Sequence, residues 1–265
     1  MAAPQLDHIT LEETGAGVTV LTLHRPPVNA LGRELVADLN AACAHLETAP
    51  PERLARAVII AATGKCFCAG ADLKERQSMT ADDVKAWVPR LSATFTRIAS
   101  LPMPTLAVVQ GVAAGGGMEL ALACDIRIAE GPATLGLRET ALAIIPGAGG
   151  TQRLARLIGP SRAKRWIFTA KMSSADEALA DGAVDQVVEA GQGLQTALTL
   201  AGVIAANGPV AVRLAKRAID QGLDMPMPQA LDNEVRCYEG VLPTEDRLEA
   251  LKAFIEKRDP VFKGR

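Results

Sequence analysis

Two short runs of apolar residues, at 57–61 and 106–109, most constrain the fold of this chain. Such runs are typical of strands that are buried on both faces, as in parallel sheets. The first leads into an irregular segment at 63–73, and the second leads directly into three consecutive glycines at 115–117. A third strand is predicted at 125–129, followed by a glycine-rich loop and a helix. The repeating unit of strand, glycine-rich loop and helix predicts an α/β protein.

Other patterns complete the predicted order of elements. A hairpin is predicted at 8–13 and 17–24, with its turn at 14–17, and a last strand at 184–188. A helix is predicted over 32–48. A second helix begins at a capping box formed by Thr80 and Asp83 and ends at about residue 100. A third begins at a capping box formed by Ser174 and Glu177 and ends near Gly182. Further helices are expected at 192–207, 209–222, 226–240 and 244–257. These last four cannot all cover one sheet, so we predict an αβ core at 1–207 and a C-terminal helical segment at 208–265.

The composition excludes several classes of protein. The 265 residues are 49% hydrophobic, and 28 basic residues nearly balance 30 acidic ones, so nucleic acid or an anionic membrane is not an expected partner. The first residues lack the pattern of a targeting segment, and no stretch approaches the ~18 apolar residues of a membrane helix, which favours a cytoplasmic location. Five cysteines without a CxxC pair and three histidines predict reduced thiols and no metal site.

The three glycines run into an apolar helix that carries Glu119 in its first turn. Glycine permits close approach of a ligand, and a helix start offers free N–H groups and a positive dipole end. A poorly solvated carboxylate there has a raised pKa, which suits it to proton transfer. The alternative interpretation is an acid that merely complements the helix dipole.

Glu139 lies among apolar neighbours shortly before the second glycine-rich loop. It is either a surface acid paired with Arg138 or the second member of a carboxylate pair. Two acids in apolar surroundings push their pKa values apart, and such a pair can divide the roles of acid and base. A Ser/His/Asp triad is not supported, because no Gly-x-Ser-x-Gly motif is present and no histidine follows His45.

Residues 68–75 place small residues before a cation. The N–H of Ala71 could donate to a ligand oxygen while Lys74 binds a phosphate; alternatively, the segment is only a turn before a helix. Neither a dinucleotide-binding glycine motif nor a P-loop occurs anywhere in the chain.

Three segments in this order, 67–75, 115–121 and 145–154, resemble those of the crotonase (enoyl-CoA hydratase/isomerase) superfamily, and the resemblance covers essentially the whole chain. It implies a spiral of ββα repeats with a helical C-terminal trimerisation segment. It further implies an enzyme that acts on acyl-CoA and assembles as a homo-oligomer, a hexamer built as a dimer of trimers.

The resemblance also implies roles for individual residues. The backbone N–H groups of Ala71 and Gly116 would bind the thioester oxygen as an oxyanion hole, and Glu119 and Glu139 would hold a water between them. Gly147 would line the site beside that water. The implied contacts to coenzyme A are at Val28, Ala30, Ala71, Asp72, Leu73 and Lys74. Coenzyme A arrives as part of the substrate, and no bound cofactor is expected.

Segments 136–147 and 243–254 resemble the methylglutaconyl-CoA hydratase branch of the superfamily. That branch interconverts 3-methylglutaconyl-CoA and 3-hydroxy-3-methylglutaryl-CoA in leucine breakdown. A general short-chain 2-enoyl-CoA hydratase is the alternative. Mammalian members of the branch also bind RNA through a lysine-rich first helix, but residues 32–48 contain no lysine, so an RNA-binding member is not favoured.

Overall fold

A computed structural model describes residues 4–15, 17–50 and 54–265 and places ten strands of this part of the chain in two sheets. The larger sheet has the order β1-β2-β3-β5-β7-β10. Its strands are β1 (Ile9–Glu13), β2 (Val18–Leu23), β3 (Ala57–Ala62), β5 (Thr105–Val109), β7 (Ile126–Glu130) and β10 (Gln186–Val188). Strands β1 and β2 are antiparallel, and all other neighbours in this sheet are parallel. The hairpin and the buried strands are thus confirmed, while the predicted turn at 14–17 includes Ala16, which lies outside the described residues.

The smaller sheet has the order β4-β6-β8-β9. It contains β4 (Cys66–Cys68), β6 (Val112–Ala114), β8 (Thr134–Gly136) and β9 (Ser173–Ser174), and its first three strands are parallel. The prediction that the chain passes directly from strand 106–109 to the three glycines was wrong, because β6 lies between them. The segment at 63–73, predicted to be irregular, likewise contains β4. Strands of three residues are too short to produce a periodic pattern.

Eleven helices are present in the described residues. They are α1 (Arg33–Thr48), α2 (Leu73–Gln77), α3 (Ala81–Ala99), α4 (Gly116–Leu122), α5 (Gly150–Ile158), α6 (Pro160–Thr169), α7 (Ala175–Asp181), α8 (Gly193–Ala205), α9 (Pro209–Gly222), α10 (Met227–Glu239) and α11 (Glu245–Glu256). The two predicted capping boxes are both formed, at the starts of α3 and α7. The four predicted C-terminal helices are confirmed as α8 to α11. The division of the chain into 1–207 and 208–265 stays a prediction.

The larger sheet is buried on both faces, as the apolar runs predict. Alternate residues of β3 and β5 belong to different core clusters: Val58 and Ile60 face the cluster that includes α1, whereas Ile59 and Leu106 face α8. Helix α8 contributes the alanines 197, 201 and 205, which are spaced one helical turn apart. Their small side chains allow the helix to lie close to the sheet.

No single helix of the described chain is both long and apolar enough to span a membrane; one pair, α8 and α9, passes such a test together but is bent by 104°.

Arg127 is a buried cation near the start of β7, with 4% of its surface exposed. Its guanidinium donates to the carbonyl oxygens of Cys124, Asp125 and Ala183 and to the carboxylate of Asp185. These bonds join the end of α4 to the segment that follows α7. Removing the guanidinium would leave buried carbonyl groups without donors.

We expect Arg127→Met to lower the free energy of unfolding by about 2–4 kcal/mol, measured by urea denaturation at fixed protein concentration. Arg165→Met is the control, because Arg165 is 64% exposed and its partner Asp181 would keep the hydrogen bond from Trp166. Losing that pair should cost less than about 1 kcal/mol. Equal losses in the two variants would contradict a structural role for Arg127.

Candidate active site

The three parallel strands of the smaller sheet all lead into one group of predicted functional residues. Strand β4 is followed by Ala71, β6 by Gly116, and β8 by Glu139. Because parallel strands present their carboxyl ends at the same edge of a sheet, these residues meet there although they are far apart in sequence. The short strands therefore assemble the candidate site.

Gly115 connects β6 to α4 in a conformation that requires glycine, with φ 53° and ψ −122°. Its N–H donates to Gly136 O, and its C=O accepts from the N–H of Glu119. A Cβ on Gly115 would lie 2.9 Å from Oε1 of Glu139. This glycine thus brings the carboxyl group of Glu139 against the start of the helix that carries Glu119.

Glu119 lies in the first turn of α4 with 2% of its surface exposed. Its Oε1 accepts two hydrogen bonds of 2.8 Å, from the N–H groups of Ala148 and Gly150. Burial raises the pKa of Glu119, and these two N–H groups together with the charge of Arg153 oppose that rise. Two amide donors on one oxygen stabilise the ionised form of this carboxyl.

Glu139 begins a short 3₁₀ helix, Glu139–Leu142, and has a different environment. Its Oε2 is buried and has no hydrogen-bond partner. Burial raises the pKa of Glu139 to about 7, and the charge of Glu119 adds to this rise. Within the described chain Glu139 forms no ion pair with Arg138, so the interpretation as a surface ion pair is wrong.

The predicted oxyanion-hole residues lie next to each other. Leu31 pairs with Ala71 in an isolated parallel bridge, in which Leu31 N donates to Gly70 O (2.7 Å) and Asp72 N donates to Leu31 O (3.2 Å). The N–H of Ala71 therefore points away from Leu31. A Cβ on Gly116 would lie 3.9 Å from Ala71 N, so the backbones of the two residues lie side by side.

Arg25 holds the loop that contains the predicted contacts to coenzyme A. Its guanidinium donates to Ala30 O (2.9 Å) and to Oδ2 of Asp72 (2.7 Å), and it also pairs with Glu75. The hydrogen bond from Arg25 lowers the pKa of Asp72, whose other oxygen caps the start of α2. The carboxylate of Asp72 is therefore occupied by the protein, as is its N–H, which donates to Leu31 O.

A second tie fixes the same loop from its other side. The side chain of Asn29 donates to Thr63 O and Cys66 O, and the backbone of this residue has φ 51°. In addition, Ala69 N donates to Val28 O. Val28 and Leu73 are exposed, as is Lys74, whose ammonium group forms no ion pair among the residues described. Sequence reasoning assigned no role to Arg25 or to the Asn29 side chain, because neither belongs to a periodic or glycine-rich pattern.

Gly147 lies between Pro146 and the amide of Ala148 that binds Glu119. A Cβ on Gly147 would lie 2.7 Å from Cγ1 of Val88, so this glycine allows α3 to approach the loop closely. Gly147 is thus next to the residue whose N–H binds Glu119, and its place beside the water stays a prediction.

The described residues contain no group of three or more His, Cys, Asp or Glu side chains that could hold a metal ion. The cysteines are buried and free, and burial raises the pKa of Cys68 to about 12, which leaves it a protonated thiol. The site consists of two carboxyl groups in unequal environments beside two adjacent backbone donors. Such a set can move protons and stabilise negative charge on a carbonyl oxygen.

Comparisons with known proteins agree with this chemistry. The family model described as Enoyl-CoA hydratase/isomerase matches residues 13–265. The chain is 46% identical over 260 residues to the human mitochondrial methylglutaconyl-CoA hydratase. This match covers 96% of this chain and 76% of the human protein. It is also 46% identical to a putative enoyl-CoA hydratase/isomerase of Bacillus subtilis, over 97% of this chain and 99% of the relative.

Among solved structures, the crystal structure of enoyl-CoA hydratase from Bacillus anthracis superposes with a TM-score of 0.94 and 44% sequence identity, covering 98% of this chain and 100% of that one. The fold predicted from the resemblance is confirmed by this match. The chain belongs to the enoyl-CoA hydratase/isomerase (crotonase) family and is a hydratase-type lyase.

Proposed function

We propose that the protein interconverts 3-methylglutaconyl-CoA and 3-hydroxy-3-methylglutaryl-CoA by adding water to, or removing it from, the carbon–carbon double bond. The observation that carries the hydratase mechanism is the pair of buried glutamates with unequal environments. The choice of acyl group is supported by the human, mouse and rat relatives named methylglutaconyl-CoA hydratase, at 45–46% identity.

In the proposed reaction the thioester oxygen binds between the N–H groups of Ala71 and Gly116. Addition of a hydroxyl group at the β-carbon moves an electron pair through the α-carbon to this oxygen. The two N–H groups then stabilise the resulting enolate, and Gly116 adds the positive end of the α4 dipole. Removal of one such donor costs about 2.7–4 kcal/mol of barrier in acyl-transfer enzymes.

The environments of the two acids assign their roles. Glu119, held by two N–H donors, is ionised and takes a proton from the bound water as the hydroxyl group attacks the β-carbon. Glu139, whose buried Oε2 has no donor, keeps its proton and delivers it to the α-carbon when the enolate collapses. Once the proton taken up by Glu119 has returned to Glu139, the sum is the addition of one water, and dehydration runs through the same steps in reverse. Gly147, next to the amide of Ala148, leaves space for the water.

We propose that coenzyme A binds along the loop that Arg25 and Asn29 hold. The backbone of Val28, Ala30, Ala71 and Asp72 would contact the pantetheine arm, the exposed Leu73 would add apolar contact, and Lys74 would bind a phosphate. Coenzyme A thus remains part of the substrate and no further cofactor enters the mechanism.

We also propose that the protein assembles as a hexamer of two trimers through its C-terminal helices. Exposed apolar side chains follow one stripe of α10, at Met227, Leu231, Val235 and Tyr238, and others lie on α11 at Leu248, Leu251, Phe254 and Ile255. Contiguous apolar surface of this kind marks an interface between proteins.

Glu119→Gln and Glu139→Gln should each lower kcat about 10²–10⁴-fold, because each removes one partner of the proton transfer while keeping the shape of the side chain. The dissociation constant of a non-reactive CoA thioester, measured by calorimetry, should change less than about threefold. Glu12→Gln, in an exposed position of β1, is the control and should retain full activity. Full turnover by either of the first two variants would refute the two-acid mechanism.

The proposed substrate is tested by comparing the two candidate esters on the purified protein. We expect kcat/KM for 3-methylglutaconyl-CoA to exceed that for crotonyl-CoA by at least about tenfold, a difference of about 1.4 kcal/mol in transition-state binding. A preference for crotonyl-CoA would instead identify a general short-chain 2-enoyl-CoA hydratase.

The buried position of Glu139 should also appear in the pH dependence of stability. Its pKa is raised from 4.5 to about 7 in the folded state, so the native protein holds this proton more tightly than the unfolded chain does. The resulting stabilisation is complete below about pH 4.5 and is lost as the pH rises through about 7. Glu139→Gln should abolish this loss.

The measurement is the free energy of unfolding of the wild type and Glu139→Gln at pH 5 and pH 8, at equal protein concentration. Between pH 5 and pH 8, the free energy of unfolding of the variant should rise by about 1–2 kcal/mol relative to that of the wild type. This is less than the full pKa shift of Glu139 allows, because the carboxyl group retains some contact with solvent. A difference that does not change with pH would show that Glu139 is not protonated in the folded protein near neutrality.

A further inference from the structure

Arg153 lies behind the loop that binds Glu119, and it takes no part in the proton transfers of the proposed reaction. It belongs to α5 and is half-buried. Its Nη1 donates to Ala148 O (2.9 Å), and its Nη2 lies 3.4 Å from Oγ1 of Thr96 in α3. Gly149 has φ 109°, and a Cβ there would lie 2.0 Å from Nη1. The guanidinium therefore rests directly on the backbone of the loop and links it to α3.

The hydrogen bond from Arg153 acts on the peptide between the two donors of Glu119. The N–H groups of Ala148 and Gly150 point to the carboxylate, whereas the carbonyl of the intervening Ala148–Gly149 peptide points to Arg153. A carbonyl turned toward the carboxylate would repel it. Because Arg153 satisfies this carbonyl on the far side, both flanking N–H groups stay directed at Oε1 of Glu119.

We propose that Arg153 is a positioning residue that keeps the amides of Ala148 and Gly150 on Glu119 and, through its charge, keeps that carboxyl ionised for its role as base. This inference rests on the proposed hydratase mechanism. It also explains why glycine occupies position 149, where any side chain would displace the guanidinium.

The charges around these two residues support the assignment. The charge of Arg153 lowers the pKa of Glu119. The charge of Glu119 in turn raises the pKa of the neighbouring acid, Glu139. The other titratable group that interacts with Arg153 is the buried thiol of Cys124. Arg153 also borders a cavity of about 720 Å³, whose further charged residues are Asp125, Arg127, Arg156, Lys216, Asp220 and Asp224. Of these, Lys216 pairs with Asp125, and Arg156 pairs with Asp224. Arg153 is the cation whose charge acts on Glu119.

The test compares Arg153→Gln with Arg153→Lys and with Arg156→Gln. Arg156 is a matched control, because it lies on the same helix and borders the same cavity but is 59% exposed and paired with Asp224. Loss of the Arg153 charge should raise the pKa of Glu119, so the acidic limb of the kcat profile should move up by about one pH unit. The expected loss of kcat grows toward low pH and reaches about tenfold only below the midpoint of the acidic limb, with KM changed less than twofold. Arg153→Lys should shift the limb by less than half as much, and Arg156→Gln should not shift it.

A second readout does not depend on turnover. The carboxyl group of Glu119 is titrated by infrared difference spectroscopy in substrate-free protein, with Glu119→Gln identifying its band, and Arg153→Gln should raise its midpoint. If the wild type hydrates neither CoA ester, the proposed function fails, and this titration still decides the role of Arg153. An unchanged midpoint, or a pH profile of Arg153→Gln that coincides with that of the wild type, would overturn the proposal. An equal loss of kcat at every pH would also overturn it, since that is the result of a purely structural role.

Discussion

The contact between one oxygen of Glu119 and the backbone N–H groups of Ala148 and Gly150 is the constraint on which the site depends. A carboxylate that is 98% buried is costly unless donors replace its water, and no side chain of the described residues supplies them. The donors come instead from the loop before α5. This requirement fixes the position of α5 relative to α4, and it disfavours a side chain at Gly150, where a Cβ would lie 3.0 Å from the same carboxylate oxygen.

The ββα repeat is what makes this arrangement possible. Each of three successive repeats adds a long strand to the larger sheet and a strand of three residues to the smaller one. The larger sheet supplies the buried core, and the short parallel strands bring their following loops to a common edge. Ala71, Gly116 and Glu139 each come from a different repeat, so among the two proposed oxyanion donors and the two acids only Gly116 and Glu119 lie close together in sequence. Strands β3 and β5, at the centre of the larger sheet, are packed on both faces.

Local sequence predicted the long elements, but not how the parts of the candidate site meet. The apolar runs of β3 and β5, the capping boxes of α3 and α7 and the four C-terminal helices all have patterns that a single chain reveals. Strands β4 and β6 do not, because three residues cannot show a period and their small sheet is defined only by pairing across the repeats. The sequence around Glu139 is also compatible with a surface ion pair. Only the tertiary structure shows that Oε2 of Glu139 is buried without a hydrogen-bond partner. Arg25 and Arg153 act through contacts with backbone carbonyls, for which a sequence gives no signal.

The central claim is that unequal backbone donation divides the two carboxyl groups into a base and an acid before substrate binds. Neutron diffraction from crystals of the substrate-free protein, exchanged into deuterated buffer at about pH 6, would locate the proton directly. We expect deuterium on Oε2 of Glu139 and none on either oxygen of Glu119. Deuterium on Glu119 with an ionised Glu139 would contradict this division of roles.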